Sequence, residues 1–500
     1  MSTTPHHGGG PESEEELAKG LNPDTGPVRP TGLEPVLETQ VEIYEIGEVR
    51  QPERLVEPTP AARRRAAASN LRPTRAELVL VLMGTVMTFL QRPGLIFTDS
   101  RSDLTADPNL FLSRVFDVWS STYDLGHVQS GQFVGYLFPM APFYAGVSNL
   151  GVPMWIVQRL WLSLILVGGA IGVSRLVAAL WRKDDGLARL LAGLVFTFNP
   201  YVVTQINRGT VTLLAYAVLP WLLLAAHRGL LEPRRWRWPI VGGALIAIGG
   251  GGVNAAVLVW VLLAPLLLIG YEVAVIGRSR KAAWSFIWRA LLCVGGLSMW
   301  WAIPVWLQSK FGADFLSFTE QPSTIWATNS VSESLRLLGY WISYFQIGFG
   351  TSRPVVPPTT VYLFAPLLVA ASFAVPLVAF GGLSRVWKKP YIPFFVLLAV
   401  GAATAMAVGF PPGKPLYSIL IKAYYGFPLL QILRTTYKVG PLLALALAFL
   451  VGAGGAEMLR RVPPGTGRRL AIAGLVALPI GFGWPMFTGR AIDPQLSYKL

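Results

Sequence analysis

Asp99-Ser100-Arg101-Ser102-Asp103 sets two carboxylates four positions apart around one guanidinium. A carboxylate of this kind can take the proton of an acceptor hydroxyl as a sugar's anomeric carbon is attacked. Arg101 would hold one acid ionised, and mutual repulsion would tune the other. The same spacing also describes a solvated acidic loop, and spacing alone leaves both readings open. A second position is Arg159, about two turns into an apolar segment. An arginine at that depth costs on the order of 3 kcal/mol unless it is paired or near the interface. It is therefore either an anchor for a lipid phosphate, an ion-pair partner of Asp99 or Asp103, or a side chain that snorkels to the headgroups. The third group is Arg434 and Lys438 in LLQILRTTYKVGP. Four residues apart, they share one helical face. They suit a phosphate, with arginine giving bidentate contacts, or else headgroup anchoring. Lys414 and Lys422 in the same loop add less specific charge.

These residues are positioned by apolar segments. The 500 residues are 53% hydrophobic and 14% charged, with a mean hydropathy of +0.49. A soluble chain carries about 25% charge, so this composition points to an all-α polytopic membrane protein. The net charge of +15 would suit nucleic acid. The placement of Lys and Arg in short loops between apolar segments argues against that partner. The one cysteine, Cys293, belongs to no metal motif; of the four histidines His6 and His7 are adjacent in the tail, and the others, His127 and His227, are too scattered for one. The first apolar segment begins near Glu77, too far in for a cleaved signal, and reads as an uncleaved signal-anchor.

Hydropathy and loop charge predict about eleven spans: 77–97, 153–181, 187–204, 210–227, 239–252, 253–277, 289–308, 361–382, 391–410, 439–459 and 470–487. Alternate loops are basic, at 182–183, 228–237, 278–281, 385–389 and 460–469, which puts them and the N-terminus on the inner side. Residues 1–75 are rich in Pro, Glu, Gly and Arg and are expected to be a disordered tail. The outer side has long loops at 98–152 and 309–360 and a shorter one at 411–438. Asp107-Pro108-Asn109 reads as a helix start, followed by an amphipathic surface helix with Phe111, Val115, Phe116 and Trp119 on its apolar face. Residues 131–150 read as a re-entrant or interfacial segment. Gly249 to Gly252 read as a tight hairpin between spans, or as a backbone nest for an anion. Trp326 to Tyr344 mixes aromatics with Glu333 and Arg336, for sugar stacking or for interfacial anchoring. The domain organisation expected is the tail, a membrane domain over 76–490, and 491–500 as the start of an outer region belonging to a longer protein.

The stretch TDSRSDLTADPNLFLSRVFDVWSSTYDLGHVQSGQFVGYLFP, followed by GVPMWIVQRLW, resembles the actinobacterial α-(1→3)-arabinofuranosyltransferases of the AftD type, which are multi-span GT-C glycosyltransferases. Asn199-Pro200, GGVNAA at 251–256, and Arg434 with Lys438 carry the resemblance further. It implies a GT-C helical bundle with its active site at the outer face of the plasma membrane. It also implies a polyprenyl-phosphate-linked arabinofuranose as donor and a cell-wall arabinan or lipoglycan as acceptor. The family pattern D-x-x-x-D-L-T-A-(D/N)-P is met by Asp99 and Asp103, and the base is assigned to Asp103, with Asp99 as second choice or donor-orienting partner. Arg434, Lys438 and Arg159 are the expected donor-phosphate contacts. Gln129, Gln132, Tyr136, Asn254, Trp326, Glu333 and Arg336 are the expected substrate contacts. No cofactor is required, although a divalent metal would be tolerated. Where the family has Arg-Asn, this chain has Arg434-Thr435. The alternatives are another polyprenyl-phosphate-sugar transferase, such as a mannosyl one, and a lipid or polysaccharide flippase.

Overall fold

The computed structural model describes residues 73–499 apart from 100, 118, 122–125, 129–130, 208, 313–319, 348–352, 428–429 and 431–433. The expected tail therefore lies outside the described residues except for its last three. Helix α1 (Arg75–Phe89) begins at a capping box in which Thr74 and Glu77 exchange side-chain and backbone hydrogen bonds. It stops at Phe89, not at 97 as expected. Arg92 precedes Pro93, which disfavours helical backbone, and both Arg92 and Gly94 adopt positive φ. The chain then turns into the short strand Ile96–Phe97.

α2 (Met154–Leu180) packs along α1. α3 (Gly186–Thr197) and α4 (Pro200–Ile206) form a helix pair bent by 42° at a short break. The break follows from Asn199-Pro200: the asparagine side chain caps α4 and the proline takes its first turn. α5 (Thr212–Leu231), α6 (Arg237–Ala247), α7 (Ala255–Ala274) and α8 (Arg280–Phe311) follow. After the second long loop come α9 (Pro366–Gly381), α10 (Ile392–Ala407), α11 (Gly440–Arg460) and α12 (Thr466–Phe482). Each of the eleven predicted spans holds one of these helices or the broken pair. Yet among the described residues six helices are long and apolar enough to cross a membrane, and seven if the bent pair is one span. α1, α6, α10 and α12 are only 11 to 17 residues long. Hydropathy counted them as full spans because the Pro and Gly breaks beside them are themselves embedded in apolar sequence. The chain is a multi-pass, all-α membrane protein.

α11 is buried along its whole apolar length and forms the centre. Its sequence, GPLLALALAFLVGAGGAEMLR, is small or apolar on every face as far as Ala456, which a central helix requires. It packs on α3, α10 and α9. Gly452 lies where a Cβ would stand 2.5 Å from the Ala188 carbonyl oxygen, so α11 and α3 approach backbone to backbone. α8 is the opposite case, with only 6% of its apolar window buried and Trp284, Leu291, Met299 and Trp306 facing outward.

The direction of successive helices puts the described residues of the loops at 90–153, 207–211, 312–365, 408–439 and 483–499 at one end of the bundle. They are tied to each other there. Ile96–Phe97 pairs antiparallel with Ser497–Tyr498, Asn207 bonds Ala491 and Asp493, and Tyr362 donates to the Phe482 carbonyl at 2.8 Å. At the opposite end, with the basic loops, Glu77 pairs with Arg189 and Arg175 at 3.0 and 3.1 Å.

The first outer loop is built differently from the expected surface helix. Asp107 does cap a helix, Pro108–Arg114, but that helix ends after two turns. Leu104, Phe111 and Val115 are buried while Leu110, Phe116 and Trp119 are exposed, so no continuous apolar face forms. Residues 131–150 form two short helices, Gly131–Gly135 and Met140–Ser148, which pack on α8 and α2. The four glycines after α6 make the expected tight turn. A Cβ on Gly135 would lie 2.4 Å from the Gly252 carbonyl carbon, and a Cβ on Gly251 would meet Trp301 at 2.9 Å. Close packing, not an anion nest, accounts for these glycines.

Candidate active site

Asp99 follows the strand pair and is buried at 3% exposure. Thr210 holds both of its oxygens: the backbone N–H donates to Oδ1 at 2.9 Å and the hydroxyl donates to Oδ2. Trp161 Nε1, on α2, donates to the same hydroxyl oxygen at 3.0 Å. The turn between α4 and α5, the helix α2 and the first outer loop thus converge on one carboxylate. Tyr144, on the helix Met140–Ser148, lies within electrostatic reach of both Asp99 and Arg159. Burial pushes its phenol well above its ordinary pKa, and the Asp99 charge adds to this while Arg159 opposes it. The phenol is therefore a neutral donor, and its hydroxyl has no partner among the described residues.

Asp103 sits in the first turn of the helix Ser102–Ala106. Arg101 grips it with two bonds, Nε to Oδ1 at 2.9 Å and Nη2 to Oδ2, and the Leu104 N–H donates to Oδ1 at 3.0 Å. Arg101 also lies 4.6 Å above the Phe133 ring. Arg101 does pair with one of the two acids, and that acid is Asp103. Three of its lone-pair positions are occupied and its side chain is 34% exposed. Of the two carboxylates, Asp99 is the one fixed by rigid elements of the bundle.

The structure gives Arg159 backbone partners that the sequence did not suggest. Its side chain is fully buried on α2, and it neither snorkels nor pairs with an acid among the described residues. Nε donates to the Gln91 carbonyl at 2.9 Å, and Nη2 donates to Arg92 and Leu95 at 3.2 and 3.0 Å. The guanidinium also sits 5.1 Å from the Phe97 ring centre. It satisfies the carbonyls that the end of α1 leaves without helical partners.

Arg434 and Lys438 lie within electrostatic reach of each other, and the second outer loop adds a residue that sequence reasoning had passed over. Lys438 lies 5.7 Å over the Tyr437 ring and is subject to the charges of Glu320, which attracts it, and Arg434, which repels it. Glu320 accepts from Trp341 Nε1 at 3.0 Å and from the Tyr437 hydroxyl at 3.1 Å. Tyr340 packs on Tyr437 with ring centres 4.3 Å apart. Glu320 was one of eight acids in the outer loops. Its one distinguishing sequence signal is its place just before the Gln321-Pro322 helix start. Beside this group is an apolar cleft of about 210 Å³ lined by Trp260, Trp326, Leu420, Tyr424, Leu430 and Thr436 among others. α4 links the two clusters: Tyr201 contacts Gly440 and lies within reach of Tyr340, and the turn after α4 carries Thr210.

The remaining expected contacts divide. Trp326 is buried against Gly409 and lines the cleft. Glu333 and Arg336 are committed to the fold. Arg336 donates to Glu333 at 2.7 Å, to Ser372 at 2.6 Å and to the Tyr362 carbonyl, while Tyr344 donates to Glu333. The pair pins the second loop onto α9, with three of the five guanidinium N–H groups committed to fold contacts. Asn254 caps α7 by accepting from the Val257 N–H at 3.4 Å, which accounts for it structurally. Tyr136 is buried at 4% in the core. Gln129 lies outside the described residues, as does the Gln132 side chain. Among the described residues no three metal-ligating side chains converge.

A family model described as an α-(1→3)-arabinofuranosyltransferase N-terminal GT-C domain matches residues 83–498. An α-(1→3)-arabinofuranosyltransferase of Mycolicibacterium smegmatis is 29% identical over 400 residues, 79% of this chain. Its counterpart from Mycobacterium tuberculosis is 29% identical over 399 residues, again 79% of this chain. In both cases the aligned part is 27% of the relative, so the chain spans about a quarter of the length of these curated relatives. The cryo-EM structure of the arabinofuranosyltransferase AftD from mycobacteria superposes with a TM-score of 0.62 at 22% identity, covering 84% of this chain and 27% of that one. A mutant of that protein superposes with a TM-score of 0.56 at 23% identity, covering 84% and 28%. At these identities the superpositions establish a shared fold.

Proposed function

The chain belongs to the family of α-(1→3)-arabinofuranosyltransferase N-terminal GT-C domains, and from that premise we propose that it transfers arabinofuranose from a polyprenyl-phosphate donor to an arabinan acceptor. The observation that supports this most is the family match over 83–498, which takes in the first outer loop and the Arg434–Lys438 pair. In the reaction the acceptor hydroxyl oxygen bonds to the anomeric carbon, and the bond from that carbon to the phosphate oxygen breaks. The hydroxyl proton passes to the Asp99 carboxylate, which Thr210 holds in a fixed orientation. The electron pair leaves with the polyprenyl phosphate, whose growing charge is taken up by Arg434 and Lys438. The Glu320 charge attracts the Lys438 ammonium, and the neighbouring apolar cleft suits the first isoprene units. Asp103 is kept as an ion pair that shapes the loop around Asp99, a reversal of the assignment made from sequence.

The basic loops support a cytoplasmic N-terminus and an extracytoplasmic site in the plasma membrane. An assay with the purified full chain, labelled polyprenyl-phosphoryl-arabinose and an arabinan acceptor tests the reading. Lys438→Met is expected to raise KM for the donor about tenfold or more, as loss of a charge-assisted phosphate contact would. Transfer of mannose in place of arabinose from the matching polyprenyl phosphate would move the chain to the alternative sugar class. Movement of the lipid without transfer would favour a flippase.

A further inference from the structure

We propose that Arg92 and Arg490 form a second phosphate-ester site at the loop end of the bundle, separate from the Arg434–Lys438 pair. Arg92, Arg490, Trp484 and Thr488, with walls that include Pro357 and Pro485, line a cleft of about 370 Å³. The two arginines are held next to each other by a buried clasp. The Gln91 amide donates to the Met486 carbonyl at 2.6 Å and accepts from the Ala491 N–H at 2.8 Å. The next residue on one side is Arg92 and the preceding residue on the other is Arg490. Gly489, with φ +68°, comes so close that a Cβ would lie 2.9 Å from the Leu90 carbonyl oxygen.

Neither guanidinium has a carboxylate partner among the described residues. Arg92 Nε is buried without a hydrogen-bond partner there, and the Arg490 side chain is exposed. Asp493, the acid closest to Arg490 in sequence, is turned inward and caps Pro494–Leu496. Arg92 also holds a left-handed backbone, φ +44°, against its ordinary preference, and Arg159 fixes it there by bonding the Arg92 carbonyl. Two cations thus line one cleft, on backbones tied by interactions that do not neutralise them, next to an apolar floor and an indole. That pattern matches an anion with an attached apolar body. Two guanidiniums favour phosphate, whose oxygens accept fork-shaped pairs of hydrogen bonds. The phosphate can come from a lipid headgroup or from a soluble phosphate, and the experiment separates the two.

The full chain, purified in detergent, is titrated with phosphatidylglycerol in mixed micelles and, separately, with inorganic phosphate, at low and high salt. Arg490→Gln is the primary variant because its side chain is exposed and makes no hydrogen bond or ion pair among the described residues, so folding is expected to be preserved. Arg92→Gln/Arg490→Gln is the second, with thermal melting as a control. Affinity for at least one probe should fall about tenfold or more in Arg490→Gln, and the wild-type affinity should weaken with salt. Lipid binding that inorganic phosphate does not displace identifies a headgroup. Displacement by inorganic phosphate identifies a soluble phosphate. Unchanged affinity for both probes in Arg490→Gln overturns the site, as does binding insensitive to salt. Because the readout is binding, its failure leaves the sugar-transfer reading untouched.

Discussion

Thr210 gives Asp99 an amide at 2.9 Å and a hydroxyl, and Trp161 orients that hydroxyl in turn. Thr210→Val keeps the backbone donor and the shape but removes the hydroxyl. It is expected to cut kcat on the order of tenfold to a hundredfold, as small misplacements of a reacting group do, with KM for the donor little changed. Thr210→Ser should restore most of the rate. Equal losses from valine and serine would mark Thr210 as a packing residue only. At this scale the sequence was informative where residue type implies a partner. Arg101 pairs with a neighbouring acid, and Asp107 and Asn199 cap helices, as their types and spacing suggest. It did not foresee the partners of Arg159, three backbone carbonyls of the turn at 91–95, which carry no signature in residue type. Glu320 was passed over for a similar reason. Its meaning depends on the second outer loop folding against Tyr437 and Lys438, more than a hundred positions away.

At the scale of elements, the four-glycine turn after α6 shows how backbone contact fixes the site's surroundings. Gly135 meets Gly252 so closely that any side chain must displace one segment. Gly135→Val is expected to destabilise the protein by about 1–3 kcal/mol through overpacking, read as a lowered melting temperature in detergent. A melting temperature equal to wild type would mean that the helix Gly131–Gly135 is free to move away from the turn. Helix positions were legible from hydropathy, and each predicted span contains a helix. Helix ends were not, because hydropathy averages across Pro93, Gly94 and Asn199-Pro200, where the backbone breaks while the sequence stays apolar. The amphipathic helix after Asp107 fails for a related reason. Its apolar residues continue past Arg114, but the chain leaves helical geometry there, so Phe116 and Trp119 point away from the face that Phe111 and Val115 share.

At the scale of the whole molecule, α11 is the common wall against which α3, α9 and α10 are laid, and the loops at one end are drawn together over it. Asp99 reaches the interior through the strand pairing of Ile96–Phe97 with Ser497–Tyr498, so residues near both ends of the described chain enclose it. Composition and the alternation of basic loops were enough to read a polytopic membrane protein. The convergence of loops 400 positions apart, seen in the Gln91–Ala491 bond, was beyond any pattern in one sequence. The chain spans about a quarter of its relatives, so recognition of an extended acceptor is tested best with short synthetic arabinan acceptors. The central claim is that Asp99, not Asp103, accepts the proton during sugar transfer. Single-turnover transfer from labelled polyprenyl-phosphoryl-arabinose, measured for Asp99→Asn and Asp103→Asn in protein that melts like wild type, tests it most directly. Asp99→Asn should lower the rate by about 100-fold or more, the scale of a lost general base, and Asp103→Asn by less than about tenfold. Wild-type transfer by Asp99→Asn, or the larger loss in Asp103→Asn, would contradict the claim.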